Sequence, residues 1–244
     1  MNEYLIQVAP DKISSDPDNT LISRLFYRKW WGKILTEDLT KYAEGIGNYR
    51  GETIISFNTI AGATIRLLKC YNQKNFSMPD SHYGRLKVIL YSDDITEEMK
   101  VKFVKFYDLS HTLANFMPLY VSKPSLNGVK GKGPYHDFPD LFYSDVRDKR
   151  YGSSTNADKF IVNNKDYFSK FKDWKSFIEL NYLQDFFDDE DYMTFKKLAP
   201  SSSFFPYQRK SLTPDEKSKC LEEVNTFLNN AIEIILSRGS RFYI

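Results

Sequence analysis

Two cysteines in 244 residues, Cys70 and Cys220, exclude a disulfide framework and a four-cysteine zinc site. Both stand in apolar surroundings, as inert core thiols of a reducing cytoplasm would. Only three histidines, His82, His111 and His136, are present, so imidazole chemistry has few candidates. No stretch reaches the ~18 consecutive apolar residues of a membrane-spanning helix. The N-terminus also lacks a basic segment leading into an apolar run. A cytoplasmic protein with no membrane association is expected. Charge of one sign is missing too: 34 Lys and Arg stand against 32 Asp and Glu, leaving a formal net charge of +2. A globally basic, nucleic-acid-coating surface is thereby excluded, while a local basic patch is not. No internal repeat or linker-like tract interrupts the chain, so one globular domain over 1–244 is expected.

Aromatic side chains, in contrast, are abundant, with 19 Phe, 17 Tyr and 3 Trp. Each buried ring removes a large apolar area from water, which predicts a ring-rich core. The pattern of elements predicts an α+β fold, mostly helical, with a small β-sheet in the N-terminal half. A first helix is expected from Asn19 to Leu35, its stripe formed by Leu21, Leu25, Tyr27 and Trp31, with Gly32 weakening its end. Between Gly51 and Tyr91 the runs Glu52–Phe57, Thr64–Leu68 and Arg85–Tyr91 read as short strands. Arg85–Tyr91 is the clearest of them, and Thr59–Cys70 fits a helix equally well. Thr96 opens a helix whose dense apolar residues, Met99, Val101, Phe103, Val104 and Phe106, suggest burial. A loop is expected over 110–133, then helices over Phe138–Tyr151, Asp166–Asp188 and Asp215–Ser237. The last is the best signalled, with Thr213 as N-cap, Pro214 at the first helical position and Glu216 closing a capping box. Its stripe is Leu221, Val224, Leu228, Ala231, Ile232 and Ile235, and Gly239 is expected to stop it.

Chemistry-bearing residues concentrate around 111–147. Lys123, Lys130 and Lys132 fall in a glycine-rich stretch without an acid, where backbone amides could approach a phosphate. The glycine spacing is not that of a Walker A loop. Arg147 joins the lysines as a phosphate-binding candidate, and Asn115 and Asn127 are further loop candidates. His111 and His136 flank the basic loop with Asp137 directly after, a set that suits general-base cleavage of RNA without a metal. His82, in Ser81-His82-Tyr83-Gly84, reads as turn surface. The acidic run Asp185, Asp188, Asp189, Glu190 and Asp191 lacks the glycine and distal glutamate of an EF-hand and reads as a solvated or partner-facing patch. No cofactor or metal is expected. If the loop from Lys123 to His136 binds phosphate, Lys130→Ala with Lys132→Ala should weaken nucleic-acid binding and leave the melting temperature almost unmoved, as exposed lysines contribute little to stability.

Three blocks carry a resemblance. Asp16-Pro17-Asp18 leading into Tyr27, Trp30-Trp31-Gly32-Lys33 and Leu35 is the first. The second runs from Ala114-Asn115-Phe116-Met117-Pro118-Leu119 to Leu126-Asn127, and the third from Phe168 through Gln184-Asp185-Phe186. Together they resemble an uncharacterised bacterial family known only as a domain of unknown function, which implies a bacterial or phage protein and brings no activity. The second block is also similar to the Gly-Asn-Leu-Thr-Leu-Leu-Pro to Leu-Asn element of restriction-associated His-Asn-His nucleases. Here Ala114 replaces the glycine, and no metal-ligating His-x-x-Pro precedes it. Two functions follow as expectations: a protein acting on nucleic acid or a nucleotide, in defence or counter-defence, or a non-enzymatic inhibitor that binds a protein partner.

Overall fold

In the computed structural model the residues described are 21–34, 49–72, 77–120, 126–131, 133–152, 159–201 and 211–242. Helix α1 covers Leu21–Trp31, and the capping cluster expected before it lies outside the described residues. Its buried face is aromatic, formed by Phe26, Tyr27 and Trp31, while Leu25 points to solvent. Of the expected stripe Tyr27 and Trp31 are inside, whereas Leu25 gives way to the larger Phe26 ring, and Phe26 and Trp31 pack on Phe242 from the far end of the chain.

Strand β1, Tyr49–Thr53, pairs antiparallel with β2, Phe116–Tyr120, in a two-stranded ribbon. The register sets Tyr49 against Tyr120 and Thr53 against Phe116. Pro118 is tolerated because a strand of such a ribbon always has an open edge. Both strands lie in the N-terminal half, as expected, but β2 occupies a stretch read as loop.

Helix α2, Phe57–Asn72, begins where β1 was expected to continue and includes Thr64–Leu68 as helix rather than strand. Ile60, Ala63, Thr64, Leu67 and Leu68 are buried at helical spacing, and the Thr64 hydroxyl donates back to the Ile60 carbonyl. The clearest predicted strand is also a helix, α3, His82–Leu90. Ser81 caps it by accepting from the Gly84 amide at 3.0 Å, and the buried residues are Leu86 and Ile89, three apart. A Cβ at residue 84 would sit 2.8 Å from both Pro79 Cβ and Ser81 Oγ, so the glycine permits this tight start. Cap and core contact override the β-like run that follows.

Thr96 caps α4, Glu97–Ser110, as expected. Met99, Phe103, Phe106 and Tyr107 are buried, but Val101 and Val104, also expected inside, are exposed. After β2 come α5, Leu126–Lys130, and α6, Pro139–Val146, which runs on into a wider helical turn over 147–151. The long helix expected over 166–188 is broken into pieces. A separate helix, α7, Lys159–Asn163, precedes it, and the pieces are α8, Lys165–Phe168, and α9, Trp174–Leu180, with a short 3-10 turn at 184–186. Asp173 and Ser176 form a capping box that starts α9 anew, and Tyr182 reverses the chain at φ 55°.

Helix α10, Pro214–Arg241, carries the expected capping box: Thr213 Oγ1 accepts from the Glu216 amide at 3.2 Å, and Glu216 accepts from the Thr213 amide at 3.0 Å. Gly239 does not end it; the residue is buried inside the last turn. α10 lies against α4, α2 and the 113–115 turn, and buried apolar residues from Phe26 to Phe242 form one connected core.

Candidate functional site

Three of the residues singled out by sequence, Asn115, Lys130 and Asp137, are held near the bend between β1 and α2, but not as a solvent-facing grip. Asn115 is buried in a 3-10 turn. Its Oδ1 accepts from the Ile55 amide at 3.0 Å, and its Nδ2 donates to the Ile55 and Ser110 carbonyls at 2.8 and 3.0 Å. Lys130 is 3% exposed. Its ammonium donates to the Thr53 and Ile54 carbonyls at 3.0 and 2.7 Å and pairs with Asp137 at 3.2 Å. All three of its donors are thus used inside the protein. Asp137 in turn accepts from the Thr59 hydroxyl at 2.7 Å. The solvent-facing phosphate role expected of Lys130 and the loop role of Asn115 are corrected accordingly: these two side chains satisfy backbone groups where a strand turns into a helix, while the Asp137 carboxylate accepts from the Lys130 ammonium and the Thr59 hydroxyl.

His136 is exposed beside Asp137, both at positive φ, 46° and 67°. His111 stands elsewhere, against His82 at the start of α3, with His82 Nδ1 2.8 Å from His111 Nε2. His111 Nδ1 lies 3.1 Å from the Tyr107 carbonyl, which can only accept, so the proton sits on Nδ1. The Nε2 lone pair then receives the Nδ1 proton of His82. Both nitrogens of His111 thus have partners within the fold. His82 is the more informative residue, half-buried rather than turn surface. Burial first, then the neighbouring His111 and Arg85, push its pKa down to about 4.

Arg147 donates to the Met193 carbonyl at 2.7 Å, to Asp148 at 2.8 Å and to Ser144 Oγ at 3.3 Å, and it lies over the Phe195 ring. It ties the turn after α6 to the 193–195 segment instead of presenting a phosphate fork. Lys123, Lys132 and the Asn127 side chain lie outside the described residues.

The acidic run is likewise largely engaged. Asp185 holds Arg241 through two bonds of 2.6 and 3.0 Å, Asp188 lies 3.8 Å from Lys196, and Asp189 accepts from the Met193 and Thr194 amides. Those amides hold the Asp189 carboxyl below its ordinary range. Among the described residues no three His, Cys, Asp or Glu side chains group as metal ligands. No described helix is long and apolar enough to cross a membrane.

Sequence reading missed two features. The first is Arg238, fully buried, whose guanidinium donates to the carbonyls of Ala114, Phe116, Asn181 and Tyr182 and lies over the rings of Trp31 and Phe242. Burial holds its pKa down to about 10, so it remains a cation at neutral pH. The signal was its phase: Leu228, Ala231, Ile232 and Ile235 lead to 238 on the same face.

The second is a corner of lysines. Lys159, Lys165, Lys170, Lys172 and Lys175 are all exposed on α7, α8, α9 and the turn between α8 and α9. Residues 159–175 hold these five lysines against two aspartates, Asp166 and Asp173. Asp173 is occupied by its capping box, its Oδ1 accepting from the Ser176 amide at 2.8 Å. Between the lysines, Tyr167, Phe168, Phe171, Trp174 and Phe177 are buried. Trp174 stacks on Phe177 at 5.5 Å, and Phe171 meets Phe177 edge-on at 5.1 Å. Rings anchored in the core thus fix the backbone from which the ammonium groups project. The legible signal is Lys-x-Tyr-Phe-x-Lys-Phe-Lys-x-Trp-Lys over 165–175, lysines alternating with rings.

Comparison with known proteins gives no family: no family model, no curated protein and no solved structure matches this chain.

Proposed function

We propose that this chain binds nucleic acid through its phosphate backbone, on the lysine corner of residues 159–175, and does so without cleaving it. The observation that carries the reading is the five exposed lysines on an aromatic-anchored turn. Among the described residues Lys175 approaches Glu179 at 3.9 Å, and the Asp173 carboxylate feels the charges of Lys172 and Lys175. Ammonium groups on a fixed surface release condensed counterions when they meet a polyanion, and this supplies sequence-independent affinity. The engagement of Lys130, Asp137 and His111 inside the fold favours binding over general-base cleavage. A cytoplasmic site of action, in a bacterium or its phage and in defence or counter-defence, extends the reading. It is supported by the low count of two cysteines and by the resemblance of the Trp30–Lys33 and Ala114–Leu119 blocks.

Fluorescence anisotropy with a labelled single-stranded RNA and DNA tests this. Affinity should fall steeply with salt, and the slope should drop by about 0.7–0.9 per lysine removed from 159–175. Protein purified without a high-salt wash should carry an excess of 260 nm absorbance through gel filtration. The absence of salt-sensitive binding at low ionic strength sinks the reading. A slope unchanged in Lys165→Ala with Lys170→Ala and Lys172→Ala moves the site elsewhere.

A further inference from the structure

We infer that the outer face of α4 is a self-association surface on which a second copy of this chain docks its own α4, antiparallel, about a two-fold axis at Val101. The face is unusual for a helix end-capped and buried along its other side. Val101 is 66% exposed and Val104 37%, and with Leu90 they form the apolar part of a shallow depression of about 530 Å³ whose remaining lining is charged and balanced, Glu97 and Asp108 against Lys100 and Lys105. Tyr91, which follows Leu90 in the chain, is 83% exposed. Apolar side chains gathered at one open depression mark a docking surface more than single scattered ones do.

Charge identifies the occupant. Glu97, Val101 and Lys105 fall four residues apart, so they form one stripe with an acid at its N-terminal end, an apolar centre and a base at its C-terminal end. Such a stripe is antisymmetric about its middle. Rotation by half a turn about Val101 sets Glu97 against the partner's Lys105, and Lys105 against the partner's Glu97, while the two valines meet on the axis. This is the self-complementarity that an isologous interface demands. Lys105 is exposed, and Glu97 makes a surface pair with Lys100 at 2.7 Å on its own helix. Glu98 and Lys102 pair with each other at 2.7 Å beside the stripe and leave its charge balance intact. One helix face with Tyr91 at its margin falls at the small end of specific interfaces, below about 1,200 Å² in total. The dimer is therefore weak, concentration-dependent and salt-sensitive.

Sedimentation velocity of the full chain from about 1 μM to about 1 mM at low salt reads the result. Wild type should shift reversibly from monomer to dimer. Val101→Glu should raise the dimer dissociation constant at least about tenfold at an unchanged melting temperature, since the side chain is exposed. Glu97→Lys and Lys105→Glu should each weaken the dimer about three- to tenfold, and the double exchange should restore it. A chain that stays monomeric throughout overturns the inference, as does a dimer indifferent to Val101→Glu. Failure of the double exchange to recover what the single exchanges lose rules out the antiparallel pairing on which it rests. None of these outcomes depends on the lysine corner, whose variants should dimerise as wild type does.

Discussion

Arg238 brings a charge into the core with backbone carbonyls, not a hydrogen-bonded carboxylate, as its acceptors. Removing it strands four buried acceptors, each of which then loses a charge-assisted bond. Arg238→Met should cost about 3–5 kcal/mol in urea denaturation, and Lys at this position should not rescue it, because one ammonium cannot spread over carbonyls on two segments. Lys130 behaves alike on a smaller scale. Lys130→Ala should lower stability by about 2–4 kcal/mol and leave salt-dependent binding intact, the reverse of what its place in a glycine-rich stretch suggests. His82 adds a pH dependence. In the unfolded chain it takes a proton near its ordinary 6.5, and in the fold only near 4, so between those values protons favour unfolding. The stability present above pH 6.5 should therefore decline as pH falls toward 4. His82→Gln should flatten that part of a melting-temperature profile; an unaltered slope would assign the acid loss to other groups.

At the scale of elements, legibility followed the caps. Thr213, Pro214 and Glu216 announced α10, and Thr96 announced α4, because capping is local chemistry written in adjacent residues. Ile232 is 8% exposed on the packed face of α10, so Ile232→Ala should cost about 2–5 kcal/mol, and Thr213→Ala about 1 kcal/mol. Two melting curves check both; an unmoved Ile232→Ala curve contradicts the packing. α3 was illegible for the opposite reason: Arg85–Tyr91 alternates like a strand, and only Ser81, Gly84 and the distant surfaces that bury Leu86 and Ile89 decide for helix. The candidate site failed on the same ground. Lysines near glycines look solvated in a sequence, and nothing local tells that Thr53 and Ile54, 77 and 76 residues away, offer Lys130 their carbonyls.

Over the whole molecule, near-neutral composition hides local imbalance. The lysines of 159–175 stand exposed, whereas several acids of 185–191 are drawn into Arg241, Lys196 and backbone amides. With five lysines against two aspartates over 159–175, this corner is basic on a molecule whose net charge is only +2. Replacing Lys165, Lys170 and Lys172 with Glu should therefore abolish retention on heparin while leaving the melting temperature within about 1 °C, because exposed lysines contribute little to folding. Retention that survives the triple change would place the basic surface elsewhere.

The Arg238 clamp also sets a timetable for the nascent chain. The carbonyls of Ala114 and Phe116 leave the ribosome 124 and 122 residues before the guanidinium that binds them. At roughly 5–20 residues per second, the 113–116 turn waits about 6–25 s with its acceptors met only by water. The turn that carries β2, and with it the β1–β2 ribbon, is completed from the C-terminal side. Ribosome-stalled chains ending before 238 should be cut by protease within this segment, and release of the last turn of α10 should close it to attack.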